Sequence, residues 1–420
     1  MLGVIADDLT GATDAACMIR RRGLSVTQVI GIPSEPLNAS VDAVVVSLKS
    51  RSIPSNEAVE LSKAAMSWLA GNGATQFYFK YCSTFDSTPR GNIGPVAAAL
   101  AEHLDQISTA FVPSFPENGR TVYRGHMFVG DRLISESSLA THPLNPMTDP
   151  DLVRVLAQQS GEIPITNLSV TVLDQGVEAV EAWLAELDSR GGGFIIVDTL
   201  NDEHIDIAAK ALQRTAFVTG GSPLCGALSI SHKNARDASG LRIEPEAGDG
   251  AVAVLAGSCS QATRAQLKRV EREHDIIWLD PLEIYRDSSV LPRLKDQAIN
   301  QAKSGVVIIA SSSDPAKVSV VHADLGEAKA GALIEQTHGE LARALFENGI
   351  QVFVVAGGET SGAVAEALCV DQLAIGSEIA PGVPWTKALG AKDLRMTFKS
   401  GNFGNEDFFL SAIQSVRAST

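Results

Sequence analysis

The 420-residue sequence has no uninterrupted apolar run long enough to cross a bilayer as a helix. It has few cysteines. Cys17, Cys82, Cys225, Cys259 and Cys369 are scattered, with no CxxC pair and no regular spacing. That pattern speaks against a disulfide framework and a cysteine-built zinc site, and reads most of the thiols as small buried hydrophobes. Positive charge is also scarce: 34 Lys and Arg stand against 49 Asp and Glu, for a formal charge of −15. Binding nucleic acid without regard to sequence needs a positive face, so that class is set aside. No basic leader with a cleavage site opens the chain, because Asp7 and Asp8 interrupt the first apolar stretch. The expected location is therefore the cytoplasm. GxxxxGK[ST], GxGxxG after a strand and GxSxG are all missing, which removes the P-loop, the usual dinucleotide fingerprint and the nucleophile elbow. No His/Cys cluster has metal-ligand spacing, so metal ligands stay unassigned.

What is present is ordinary for a compact globular protein: 45% hydrophobic and 20% charged residues. The length exceeds one ordinary core and predicts two domains. Short apolar runs alternate with helical patterns. "LGVIA", "AVVVSL", "QFYFKY", "AFVPSF" and "FIIVDT" read as strands in the first half, and "AVAVLAG", "IIWLD", "GVVIIASS", "QVFVVAGG" and "LRMTFKSG" in the second. Helices are expected over Asn56–Ala70, Val177–Ser189, Gln261–His274, Ala328–Asn348 and Ser361–Cys369. The alternation predicts an α/β fold with two domains, each a largely parallel sheet flanked by helices. The domains are expected at 1–240 and 251–420, joined by a polar linker over Leu241–Gly250. Arg120–Pro150 lacks periodicity and reads as a long functional loop. In such sheets ligands bind beyond the carboxyl ends of the strands.

The first such end is "ADDLTGATD". A helix is expected from about Thr10 to Arg22, stopped by Gly23, which puts Asp7 and Asp8 between a strand end and a helix start. One aspartate can be an N-cap. The pair needs more, and either carboxylate can act as a general base or bind substrate hydroxyls. "FKYCSTFDSTPRGNIG" follows another strand. Lys80, Ser83, Asp86, Ser87, Thr88, Arg90, Gly91 and Asn92 fit a solvated loop or, better, a pocket for a small polyhydroxy acid, with Arg90 or Lys80 on its carboxylate. Lys49 and Arg51 in "SLKSRS" add cations, as do Arg120, Arg124 and His126 in "PENGRTVYRGH". Of the histidines, only His126 and His142 attract suspicion.

The second half repeats one motif: Ser258 and Ser260 in "LAGSCS", the run Gly357, Gly358, Glu359, Thr360, Ser361 and Gly362 in "VVAGGETSGAV", and Gly401, Asn402 and Gly404 in "FKSGNFGNEDF". Glycine admits backbone N–H groups close to an anion, and a helix start favours negative charge. The set reads as a phosphate cradle.

Taken together, "ADDLTGATD", "STFDSTPRGNIG", "FPENGRTVYRGH", "GSCS", "GGETSG" and "KSGNFG" resemble the four-carbon acid sugar kinase family, from the first strand to the last twenty residues. Within it, "YFKYCSTFDSTPRGNIGPV" is most similar to members acting on 3-oxo-tetronates. The resemblance implies an N-terminal domain binding the acid through Asp7, Asp8, Lys80, Asp86, Ser87 and Arg90. It implies a C-terminal domain binding ATP through Ser258, Gly357 to Gly362 and Gly404. The implied reaction moves the γ-phosphoryl group to the C4 hydroxyl, with Mg²⁺ travelling with ATP. Water must be kept out, which two domains closing over a shared cleft would do. Which aspartate is the base stays open. D-threonate or D-erythronate is the alternative substrate, a non-catalytic sugar-acid and nucleotide sensor the alternative of another class. Partners are expected to be the small acid and ATP, with no nucleic acid and no membrane, and a homodimer stays an option.

Overall fold

The computed structural model describes the whole chain except residues 34–35, 38–40, 86–87, 142–145, 234–249, 312–314, 390–392 and 418–420. The chain divides into two compact units, Met1–Gly240 and Leu241–Thr420. The expected linker lies outside the described residues, Gly250 excepted.

Among its described residues unit 1 holds eight parallel strands: β1 (Leu2–Ala6), β2 (Val26–Ile30), β3 (Ala43–Ser47), β4 (Gln76–Lys80), β5 (Ser108–Val112), β9 (Ile165–Leu168), β10 (Gly193–Val197) and β11 (Phe217–Gly220). Between β5 and β9 lies a small antiparallel sheet of β6 (Arg120–Tyr123), β7 (His126–Val129) and β8 (Arg132–Leu133). The parallel strands run β2-β3-β1-β4-β11-β5-β10-β9. β1, β3 and β4 are buried throughout, which explains their unbroken apolar runs. Ile5, Val44, Phe79, Phe111 and Phe217 share one core cluster.

In unit 2 the order is β13-β14-β12-β15-β18-β17-β16. Here β12 (Val252–Ala256), β13 (Ile276–Trp278), β14 (Val306–Ala310), β15 (Val352–Ala356) and β18 (Arg395–Lys399) are parallel. β16 (Gln372–Ala380) and β17 (Val383–Ala388) join antiparallel. Val254, Ile308, Val354, Trp385 and Phe408 share its core.

Most expected elements form, with shifted ends: Ser55–Gly71, Val177–Ser189, Gln261–Val270, Glu327–Glu347 and Gly358–Ala367 are the helices of the predicted stretches. Arg120–Pro150 is a correction. Much of it is the β6–β8 sheet, whose β6–β7 turn hangs on Asp198: its carboxylate accepts from the Arg124 and Gly125 N–H groups at 2.8 and 2.9 Å. Short strands alternating with turns escape a search for long periodic runs. β2, β9, β11, β16 and β17 were not expected either.

Candidate active site

In each unit the chain reverses direction across the first strand. β1 has β3 on one side and β4 on the other, and β12 has β14 and β15. The carboxyl ends of such a strand pair form the natural ligand crevice of an open parallel sheet. Ala6 sits opposite Lys80, and Ala256 opposite Ala356. Asp7 and Asp8 therefore leave β1 beside the end of β4, and Gly257 to Ser260 leave β12 beside the loop at Gly357.

The two aspartates are held differently. Arg51 grips Asp7 with both arms of its fork, Nε to Oδ2 and Nη2 to Oδ1, each at 2.8 Å. The Asp7 side chain keeps 7% exposure, against 20% for Asp8. Asp8 caps the helix Leu9–Arg21: Oδ1 accepts from the Gly11 N–H at 2.8 Å and Oδ2 from the Thr10 hydroxyl at 2.9 Å. Arg51 Nη2 also reaches Asp8 Oδ1 at 2.9 Å. Burial works against the Asp8 charge. Arg51, Lys80, Thr10 and the Gly11 amide outweigh it and hold the carboxyl below its usual value. The repulsion between neighbouring carboxylates is thus offset by one shared guanidinium, a buried lysine and a helix start.

The loop after β4 separates anchors from exposed groups. Lys80 is buried and donates to Tyr81 O at 2.8 Å. Ser83 is buried. Asp86 and Ser87 lie outside the described residues. Thr88 O accepts from the Gln159 amide at 2.7 Å, and Gly91 N–H turns back to Thr88 O at 2.8 Å. Arg90 is exposed, as is Lys49. Asn92 is an internal staple: its amide donates to the carbonyls of Ser50, Arg51 and Ile53 at 2.7, 3.2 and 2.9 Å. It fixes the stretch that carries Arg51, and through Arg51 the aspartates. His126 belongs to the β6–β7 turn, its Nδ1 at 2.8 Å from Arg124 O; His142 lies outside the described residues.

In unit 2 the three glycine loops converge, because β12, β15 and β18 are neighbours. Ser260 caps the helix Gln261–Val270, accepting from Thr263 N–H at 3.2 Å. The helix Gly358–Ala367 has no side-chain cap, so its first N–H groups lack that partner. Gly357 has φ +120°, and a Cβ there would stand 3.1 Å from Ser258 N. A Cβ on Gly401 would meet Ser258 Oγ at 2.3 Å, and one on Gly257 would meet Thr360 Oγ1 at 1.9 Å. Backbone and hydroxyls are packed here with no room for larger side chains. Gly404 is left-handed, at φ +78°. Thr360 is buried beside Gly257; Ser361 is also fully buried, and its hydroxyl has no partner. Gly362 keeps partial exposure, and Glu359 and Asn402 are exposed.

The two halves match two family models, described as the sugar-binding N-terminal domain over residues 2–228 and the nucleotide-binding C-terminal domain over residues 253–409. A 3-oxo-tetronate kinase of Pseudomonas fluorescens is 46% identical over 98% of this chain and 96% of its own. That of Brucella melitensis is 42% identical over 98% and 94%. The chain belongs to the four-carbon acid sugar kinase family. Crystal structures of a Salmonella typhimurium protein (TM-score 0.84, 38% identical) and a Haemophilus influenzae protein (0.76, 39%) each align over 98% of both chains.

Seen as a member of this kinase family, the chain holds polar residues that its motifs contain but sequence reasoning passed over. Asp14, in the second turn of the helix Leu9–Arg21, is buried. The Ser222 hydroxyl donates to its Oδ2, while Oδ1 has no partner. Burial raises its carboxyl to about 6. Lys399, at the end of β18, is fully buried and donates to Thr263 Oγ1, Ser400 O and Gly401 O at 3.1, 2.9 and 2.9 Å. Burial pushes its ammonium down to about 7. Both stand inside quoted motifs, "ADDLTGATD" and "KSGNFG". Only the fold shows that they face inward.

Proposed function

We propose that the chain is an ATP-dependent kinase that phosphorylates the C4 hydroxyl of a 3-oxo-tetronate. The observation that carries this reading is full-length similarity, at 40–46% identity, to several proteins named 3-oxo-tetronate kinase.

The residues support a division of roles. The Gly257–Ser260, Gly357–Thr360 and Gly401–Gly404 loops offer backbone donors, hydroxyls and two helix starts to the phosphates of ATP. We read Asp8 as the proton acceptor: it is the more exposed of the two, while Arg51 occupies both oxygens of Asp7. The C4 oxygen attacks the γ-phosphorus, the bond to the bridging oxygen breaks, ADP departs, and the hydroxyl proton passes to Asp8. An ionised carboxylate is what that step needs, and the charges around Asp8 keep it ionised. No group of three or more His, Cys, Asp or Glu that could hold a metal occurs among the described residues. Mg²⁺ would travel with ATP and would offset negative charge on the transferring phosphate.

The test is ADP release against a panel of 3-oxo-tetronates, D-threonate and D-erythronate. Turnover should be highest with a 3-oxo acid. Higher kcat/KM for D-threonate or D-erythronate would move the chain to a sister activity. ATP binding without turnover on any of them would leave a sensor.

A further inference from the structure

An acid substrate needs a cation that no protein carboxylate already holds. Arg51 fails that condition, since Asp7 and Asp8 share it. Arg90 is exposed, where a charged contact competes with water and salt.

Arg120 meets the condition. It opens β6, and its backbone is pinned on both sides by Phe115, at 3.0 and 2.8 Å. The side chain therefore leaves from a fixed stem. Its guanidinium makes no hydrogen bond or ion pair with any described residue, and Nε is buried without a partner. The residue as a whole keeps partial exposure, so a ligand can reach the fork. Burial works against its charge, while Cys82 and Asp14 support it. Cys82 also acts on the charge of Arg51, and Lys80 on those of both Asp8 and Asp14. Phe115 lies just beyond the carboxyl end of β5, so Arg120, paired with it, stands on the same edge of the parallel sheet as the ends of β1 and β4. A half-buried guanidinium whose Nε has no partner is costly, and an entering anion would relieve the cost.

We propose that Arg120 binds the carboxylate of the four-carbon acid through its planar fork, and so sets the preference for an acid over a neutral sugar. This rests on the proposed kinase reading. The fork suits a carboxylate bidentately, and buried Lys80 adds a second positive charge near the same end.

The test compares 3-oxo-tetronate with erythrulose, its neutral counterpart in which CH₂OH replaces the carboxylate. The acid-to-neutral ratio of kcat/KM is measured for the wild type, Arg120→Met and Arg120→Lys, with erythrulose also read through its inhibition of acid turnover. Arg120→Met should lower the ratio about 100-fold, the scale of one lost charge-assisted contact. Arg120→Lys keeps charge without the fork and should lower it roughly tenfold; it carries the test if Arg120→Met does not fold. An unchanged ratio in either variant, or an equal fall on both sugars, overturns the proposal and leaves the kinase reading standing. A wild type that turns over no four-carbon acid overturns both.

Discussion

The two units use one strand order for two kinds of recognition. In unit 1 the order β2-β3-β1-β4 puts the crevice beside β1; in unit 2 β13-β14-β12-β15 puts it beside β12. Unit 1 fills that place with charged side chains: Asp7, Asp8, Arg51 and Lys80, with Arg120 on the same edge of the sheet. Unit 2 fills it with glycines, hydroxyls and helix starts, and the one buried lysine among its described residues is spent on Thr263, Ser400 and Gly401. The difference fits the ligands proposed. A triphosphate can be held by backbone donors, which need glycine and little else. A small acid distinguished from its relatives by one oxidation level must be read by side chains.

The sharpest way to break this comparison is to neutralise each aspartate in turn. Asp8→Asn should lower kcat by roughly 10²–10⁴-fold, the range for losing a general base, with ATP binding intact. Asp7→Asn should act on stability instead. It removes one of the two carboxylates that share Arg51 while Asp8 stays on the guanidinium, a loss of charged hydrogen bonds on the order of 1–3 kcal/mol. Chemical denaturation beside steady-state kinetics separates the two. If both variants keep normal kcat, the base lies elsewhere.

Gly357→Ala probes the other crevice. Its φ of +120° and the 3.1 Å approach of a new Cβ to Ser258 N must distort the loop. KM for ATP should rise about tenfold or more, with KM for the acid little changed, for a strain on the order of 1–3 kcal/mol. An equal rise in both would show that the two crevices do not divide the ligands.

Asp14 gives a pH signature confined to unit 1. Its folded value of about 6 lies above the ordinary 3.8, so the folded state holds the proton more tightly than the unfolded chain. That contribution is full below about pH 4 and is lost as pH rises through 6. Asp14→Asn is neutral throughout and can still accept from Ser222. It should be more stable than the wild type at pH 8, on the order of a few kcal/mol, and close to it at pH 4. A difference independent of pH would contradict the buried-carboxyl account. The smallest effect is expected at Gly331→Ala, exposed in the second turn of the helix Glu327–Glu347, where a Cβ meets nothing within 4 Å. Thermal melts should show a gain of roughly 0.5–1 kcal/mol, and ATP KM should not move.

Much of this was legible in the sequence because chemistry follows strand ends. The runs before Asp7, Lys80, Ser258, Gly357 and Gly401 are short, apolar and buried on both faces, so they read as strands without ambiguity. Long-range partners were not legible. Nothing near Asp7 signals that Arg51, on the next loop but one, will lock it, or that Asn92 will staple the stretch bearing Arg51. Lys399 and Asp14 look like polar motif residues, and only packing makes them buried ones. Arg120 was hidden for a different reason. Its strand has four residues in a segment without periodicity, so it counted as one more loop cation.

The central claim, transfer to the terminal hydroxyl of an acid, is tested most directly by the phosphorus spectrum of the product. After incubation with ATP and 3-oxo-tetronate, the new phosphate ester should be a triplet, split by the two C4 protons. A doublet would place the phosphate on C2, and ATP consumption with no new ester would remove the kinase; either would contradict the account.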